Sequence, residues 1–279
     1  MLLLALALPA SADTLTFQAG SGSHGTTEDA TLVGSSASNE DNFSDGEFLF
    51  ADTSDGDHSG AEVRAVLRFV DVIGSEDGQI PRGSEIHSAT VTFTVDNPGG
   101  TLGLHEILED WQVDEVSWAL RSAELGEWSA PGVDHPAASL KALSEVESPE
   151  GEIEFSVRVA VREWAQYPSR NLGFVLVPQS DNGADLHSSE SPTIEARPKL
   201  TVEFTPGEWD TGSPEDTADP DGVNGVDEDD SGTPSSGTDF SSDTSAGGKD
   251  GCGCAAAGSG AGMLGLWAVG LVGLRRRIP

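Results

Sequence analysis

Between residues 13 and 206 the apolar positions come in short runs, and turn-forming residues interrupt them about every 8–12 positions. Phe48 to Ala51, Val63 to Val70, Ile86 to Val95, Ile153 to Val159, Leu172 to Val177 and Leu200 to Phe204 all read as strands. The clearest is Ala89-Thr90-Val91-Thr92-Phe93-Thr94-Val95, which alternates strictly. Its apolar members are expected to face a core and its Thr residues to face out, as in an antiparallel sheet wetted on one side. Leu200, Val202 and Phe204 repeat the pattern. In Val63–Phe69, Ala65, Leu67 and Phe69 share one face, and Arg64, Val66 and Arg68 share the other. Val159 to Ala165 is a plausible helix, too short to organise a layer. Many short strands with one minor helix predict an all-β fold, an antiparallel jelly-roll β-sandwich.

Charge divides the chain further. The 279 residues hold 48 Asp and Glu against 14 Lys and Arg, a formal charge of −34. Such a chain repels phosphate, which excludes a nucleic-acid binder. Two Cys exclude a disulfide scaffold. Residues 13–206 carry 35 acids and 10 bases; residues 207–251 carry 13 acids and one Lys; residues 252–279 carry three Arg and no acid. These read as a folded acidic domain, a disordered acidic linker and an apolar, basic-ended tail.

The ends read as addresses. Residues 1–12 run from an apolar stretch, Leu2 to Leu8, through Pro9 to the small-residue site Ala10-Ser11-Ala12, as in a secretory signal peptide. The segment is short and lacks a basic beginning, which predicts a true start further upstream. In the tail, Cys252 and Cys254 precede an uncharged stretch from Ala255 to Leu274, closed by Arg275, Arg276 and Arg277. A helix of that length spans roughly 30 Å, the thickness of a bilayer core, and the Arg cluster would stay cytoplasmic. The stretch carries six Gly, which suits a transient transmembrane-type segment better than a permanent anchor. In the linker, Asp219 to Asp230 alternates acids with Gly as calcium ligation requires, yet no Glu closes it as in an EF-hand. A plain solvated stalk is therefore the expected reading, with calcium binding as its alternative.

Candidate chemistry in the domain is sparse. Arg64 and Arg68 suit either carboxylate partners across strands or bidentate contacts to an acidic sugar. Trp111, Trp118 and Trp164, flanked by apolar residues, are expected in the core, and Trp128, between Gly126 and Pro131, on the surface as a stacking platform. Asp52, Asp55 and Asp57, and the run Asn39 to Asn42, are the best oxygen-rich loops for calcium. No nucleophile elbow, zinc helix or P-loop occurs, and Gly20-Ser-Gly22-Ser-His24-Gly25 leads into no apolar helix, so no enzyme is expected.

Two resemblances add to this. Arg64-Ala-Val-Leu-Arg68-Phe69, Ile80-Pro-Arg82-Gly-Ser-Glu-Ile-His-Ser-Ala-Thr-Val91, Asp110-Trp111, Val116-Ser-Trp118, Val161-Arg-Glu-Trp164, Asn171-Leu-Gly-Phe174, Ser189-Glu190 and Arg197-Pro-Lys-Leu-Thr-Val202 occur in this order. The series resembles the DNRLRE-type carbohydrate-binding module family over residues 28–205. That resemblance implies a jelly roll in an extracellular setting that binds polysaccharide without cleaving it, acidic polysaccharides such as alginate included. Residues 119–149 depart from the family pattern. The tail, Cys-Gly-Cys through the Arg cluster, resembles the MYXO-CTERM sorting signal. It implies a membrane-embedded sorting protease as partner, modification at a Cys and delivery to the cell surface or outer membrane. The expected function is a non-catalytic, surface-displayed polysaccharide binder. A calcium-dependent structural or adhesive module and a weak polysaccharide lyase or hydrolase are the alternatives.

Overall fold

The computed structural model describes residues 11–22 and 26–207. Apart from Ser11, Ala12 and Gly207, the expected leader, linker and sorting tail lie outside these residues, as do Cys252, Cys254, Arg275, Arg276 and Arg277. The described residues form an all-β sandwich with one helix. In chain order the strands are β1 (Asp13–Gln18), β2 (Thr27–Val33), β3 (Phe48–Asp55), β4 (Ala61–Phe69), β5 (Glu85–Asn97), β6 (Thr101–Glu106), β7 (Leu120–Ser122), β8 (Gly126–Glu127), β9 (Ser144–Glu147) and β10 (Gly151–Ser156). After β10 come the helix α1 (Arg158–Trp164), a 3₁₀ turn (Pro168–Arg170), β11 (Phe174–Pro178), β12 (Ala184–His187), a second 3₁₀ turn (Ile194–Ala196) and β13 (Lys199–Thr205).

The long strand β5 organises the first sheet. It takes β13 and β12 along one edge and β10 along the other, and β1 extends the sheet beyond β13. The second sheet runs β2-β4-β11-β6-β9, every pair antiparallel. β3 joins the two: Phe48–Ala51 pair with β12, and Asp52 and Asp55, with an irregularity between them, pair with β4. Ala89, Val91, Phe93, Leu200, Val202 and Phe204 from the first sheet meet Ala65, Leu67, Phe69, Leu104, Phe174 and Leu176 from the second. The alternation in β5 thus places its apolar residues as expected. Thr92, expected in water, is instead buried: its register neighbours are Lys199 and Glu154, and Lys199 reaches across to Glu152 at 2.7 Å.

The second sheet is covered on its outer face too. Ala30 and Leu32 of β2, Val66 of β4 and Val175 of β11 form a second core with Ile107, Trp111, Val116, Trp128, Val133, Ala137 and Ala138. The segment between β6 and β9 therefore folds as a third layer. Polar ties fasten it to the segment after β2: Asn42 donates to the carbonyls of Val113 and Val116, and the Ala119 N–H to the Asn39 carbonyl.

Candidate functional site

The third layer decides the fate of the predicted sugar contacts. Arg64 is only 9% exposed; it pairs with Glu62 at 2.7 Å, donates to the Gly132 carbonyl at 3.0 Å and lies over the Trp118 ring. Arg68 pairs with Glu28, its register partner on β2, and with Asp110, and donates to the Trp111 carbonyl while stacking on that indole. Both guanidinium groups thus have carboxylate partners, Arg68 across strands and Arg64 within its own strand, and they pin the third layer to the sheet. Trp128, expected on the surface, is 4% exposed, and its indole N–H donates to the Ser117 carbonyl. The β7–β8 hairpin folds the chain back just before it, so that Trp128 N–H reaches the Ala119 carbonyl and the ring enters the second core. Trp111 and Trp164 are buried as expected, and Trp118 is half-buried.

The calcium candidates are engaged locally. Asp55 is buried and accepts from the backbone N–H of His58 at 2.8 Å, with the His58 ring at 2.9 Å; Asp52 accepts from the Ser54 N–H. Among the described residues no group of three or more His, Cys, Asp or Glu side chains comes together in a geometry that would hold a metal. Asp55 and Asp57 do act at a distance. Burial raises the pKa of Asp185 on β12, and the charges of Asp55, Asp57 and Asp96 raise it further.

A different surface gathers the ingredients of recognition. Tyr167, the one Tyr in the chain, is 41% exposed, and Val159 is 61% exposed. With Arg162, Glu163 and Gln166 they line a groove of about 430 Å³ along α1. The helix forms because Ala160, Val161 and Trp164 bury one face, leaving Arg158, Val159 and Arg162 outward. Pro168 then opens the 3₁₀ turn, which carries Arg170 back over the Tyr167 ring, 5.0 Å from its centre, and into an ion pair with Glu163. From the other side, Arg82 donates to the Gln166 carbonyl at 3.0 Å and the Gly83 N–H to the Ala165 carbonyl. Four of the ten bases of residues 13–206, namely Arg82, Arg158, Arg162 and Arg170, thus gather at one end of an acidic domain. Neighbouring Glu106, the last residue of β6, has its pKa raised by burial and then by the Glu163 charge, while Arg170 lowers it.

No protein-family model and no curated protein matches this chain. The site therefore stands on its own geometry. Neither Tyr167 nor the Arg cluster figures among the sequence candidates. The density of Arg between residues 158 and 170 is the signal that marks it, since residues 13–206 hold only ten bases.

Proposed function

We propose that this chain is a non-catalytic, exported surface protein whose jelly-roll sandwich binds extracellular polysaccharide in the groove along α1. The observation that carries this reading is the groove in which Arg162 and Gln166 stand beside exposed Tyr167, with Arg82 bonded to the Gln166 carbonyl at its edge. A flat aromatic face beside polar groups suits the C–H face and hydroxyls of a pyranose. Guanidinium forks suit sugar carboxylates, and they lessen the repulsion that an acidic domain exerts on an anionic glycan. The ordered likeness to DNRLRE-type modules points to the same ligand class. The leader and the tail that resembles MYXO-CTERM would place the domain at the cell surface, with the membrane and a sorting protease as partners and no role for nucleic acid.

Affinity electrophoresis of the purified chain in gels containing alginate, a neutral glucan or no polysaccharide tests the proposal. Retardation by alginate that Tyr167→Ala and Arg162→Ala together abolish is expected; equal mobility in every gel overturns it. A second reading, calcium-dependent adhesion, draws only on the negative charge that Asp55, Asp57 and Asp96 exert on Asp185, since these carboxylates do not come together as a metal-holding group. Retardation or self-association that appears only with added calcium, and that Asp185→Asn removes, would favour it.

A further inference from the structure

Asp29 of β2 lies inside the domain, 1% exposed, on the strand face opposite Ala30 and Leu32. One carboxylate oxygen, Oδ2, accepts from the Ser189 N–H at 2.8 Å. The other, Oδ1, is buried with no hydrogen-bond partner, and so is Thr27 Oγ1, two residues back on the same face of the strand. Two orphaned oxygens on one strand face are costly to bury, and buried polar groups left without a protein partner commonly hold an ordered water. The Ser188–Ser191 connector forms the roof: Ser188 donates its N–H to the Glu47 carbonyl and its hydroxyl to the Gly46 carbonyl.

We propose that Thr27 Oγ1 and Asp29 Oδ1 frame an internal water site beneath the β12–β13 connector, and that the proton on Asp29 sets how tightly the connector closes over it. The ionised carboxylate needs a donor on Oδ1; the nearby Ser189 hydroxyl, which favours the charged form, is turned to Glu190 at 3.3 Å, so ionisation draws in water or pulls that hydroxyl, and the roof with it, out of place. The protonated carboxyl carries no charge and tolerates closure. Charged neighbours do not relieve it: Glu190 on the connector opposes ionisation, and Arg197, the favourable charge, is engaged at the Ser191 carbonyl. β4 presents apolar Leu67 opposite Asp29, and Glu28 on the same strand faces out to Arg68. Burial, with that surrounding, pushes the Asp29 pKa up to about 7.

The sign follows. An acid whose pKa is higher folded than unfolded holds its proton longer in the fold, so its contribution to stability falls as pH rises from the ordinary carboxylate range to about 7. Asp29→Asn keeps an acceptor for Ser189 and removes the titration. Urea midpoints of the purified chain should therefore coincide for wild type and Asp29→Asn at about pH 3, where both carry a neutral side chain in the folded and the unfolded chain, and diverge in favour of Asn by about pH 8. Exchange of the Ser189 amide, corrected for intrinsic rate, should quicken about tenfold over the same range in wild type and stay level in the variant. Parallel midpoint curves, or a Ser189 rate that follows pH equally in both, overturn the proposal. Should the variant fail to fold, carbon NMR of the wild-type Asp29 carboxyl decides: titration near neutrality supports the site, and titration at about pH 4 refutes it.

Discussion

Arg68 shows how one side chain can mimic a binding residue while serving the fold. Its guanidinium meets Glu28, Asp110, the Trp111 carbonyl and the Trp111 ring, and is mostly withdrawn from water. Removing it would leave the Glu28 charge half-buried and unpaired. Arg68→Ala should lower stability by about 2–4 kcal/mol, read as a shift of the urea midpoint, and leave polysaccharide retardation per folded molecule unchanged. Arg162 makes the opposite prediction: Arg162→Ala should leave the midpoint within about 0.5 kcal/mol and weaken retardation. The sequence shows both Arg residues on one strand face, and that much is correct. Which reading applies depends on whether anything covers that face, and the cover comes from residues 107–138, far along the chain. Trp128 fails for the same reason. Its neighbours Gly126 and Pro131 look like a surface turn, but the second core draws the ring in.

At the scale of elements, the longer alternating runs are legible, whereas the short strands β1 and β6 alternate but are not among the expected ones. β5 and β13 match their expected spans closely, whereas β2 carries Glu28, bonded outward to Arg68, and Asp29, buried, so its alternation is masked. The third layer has no periodicity to read, because side-chain bonds and tight turns hold it. Gly132 is one such turn: its φ is +72°, and a Cβ there would lie 2.6 Å from the Trp118 ring. Gly132→Ala should therefore push Trp118 off Arg64 and lower the melting temperature, by an amount corresponding to about 1–3 kcal/mol. Trp128→Ala, which hollows the second core, should lower stability by about 3–5 kcal/mol. In both variants near-UV circular dichroism of the Trp bands should change more than the far-UV β signal.

The molecule as a whole concentrates negative charge, and three carboxyls with raised pKa sit within it. Burial is the leading cause for Asp29, Glu106 and Asp185 alike. Each holds its proton longer in the fold than in the unfolded chain, so stability should decline as pH climbs from the ordinary carboxylate range toward about 7. Urea midpoints measured from about pH 4.5 to about pH 8 should peak on the acidic side, and added salt should flatten the decline by screening self-repulsion. Outside the described residues, the double substitution Cys252→Ala and Cys254→Ala should release the protein from the surface fraction, if the tail is a sorting signal.

The last described residue, Gly207, donates its N–H to Ser84 Oγ at 3.2 Å, next to the Gly83 that anchors the end of α1. The chain thus leaves the domain at the end that carries Arg82 and the groove. If the groove holds a polymer and the chain beyond Gly207 holds the cell, tension enters and leaves the domain within a few residues. The sandwich, with its ladder of eleven strands, would then lie beside the line of force, spared the load that its two ends would otherwise have to share.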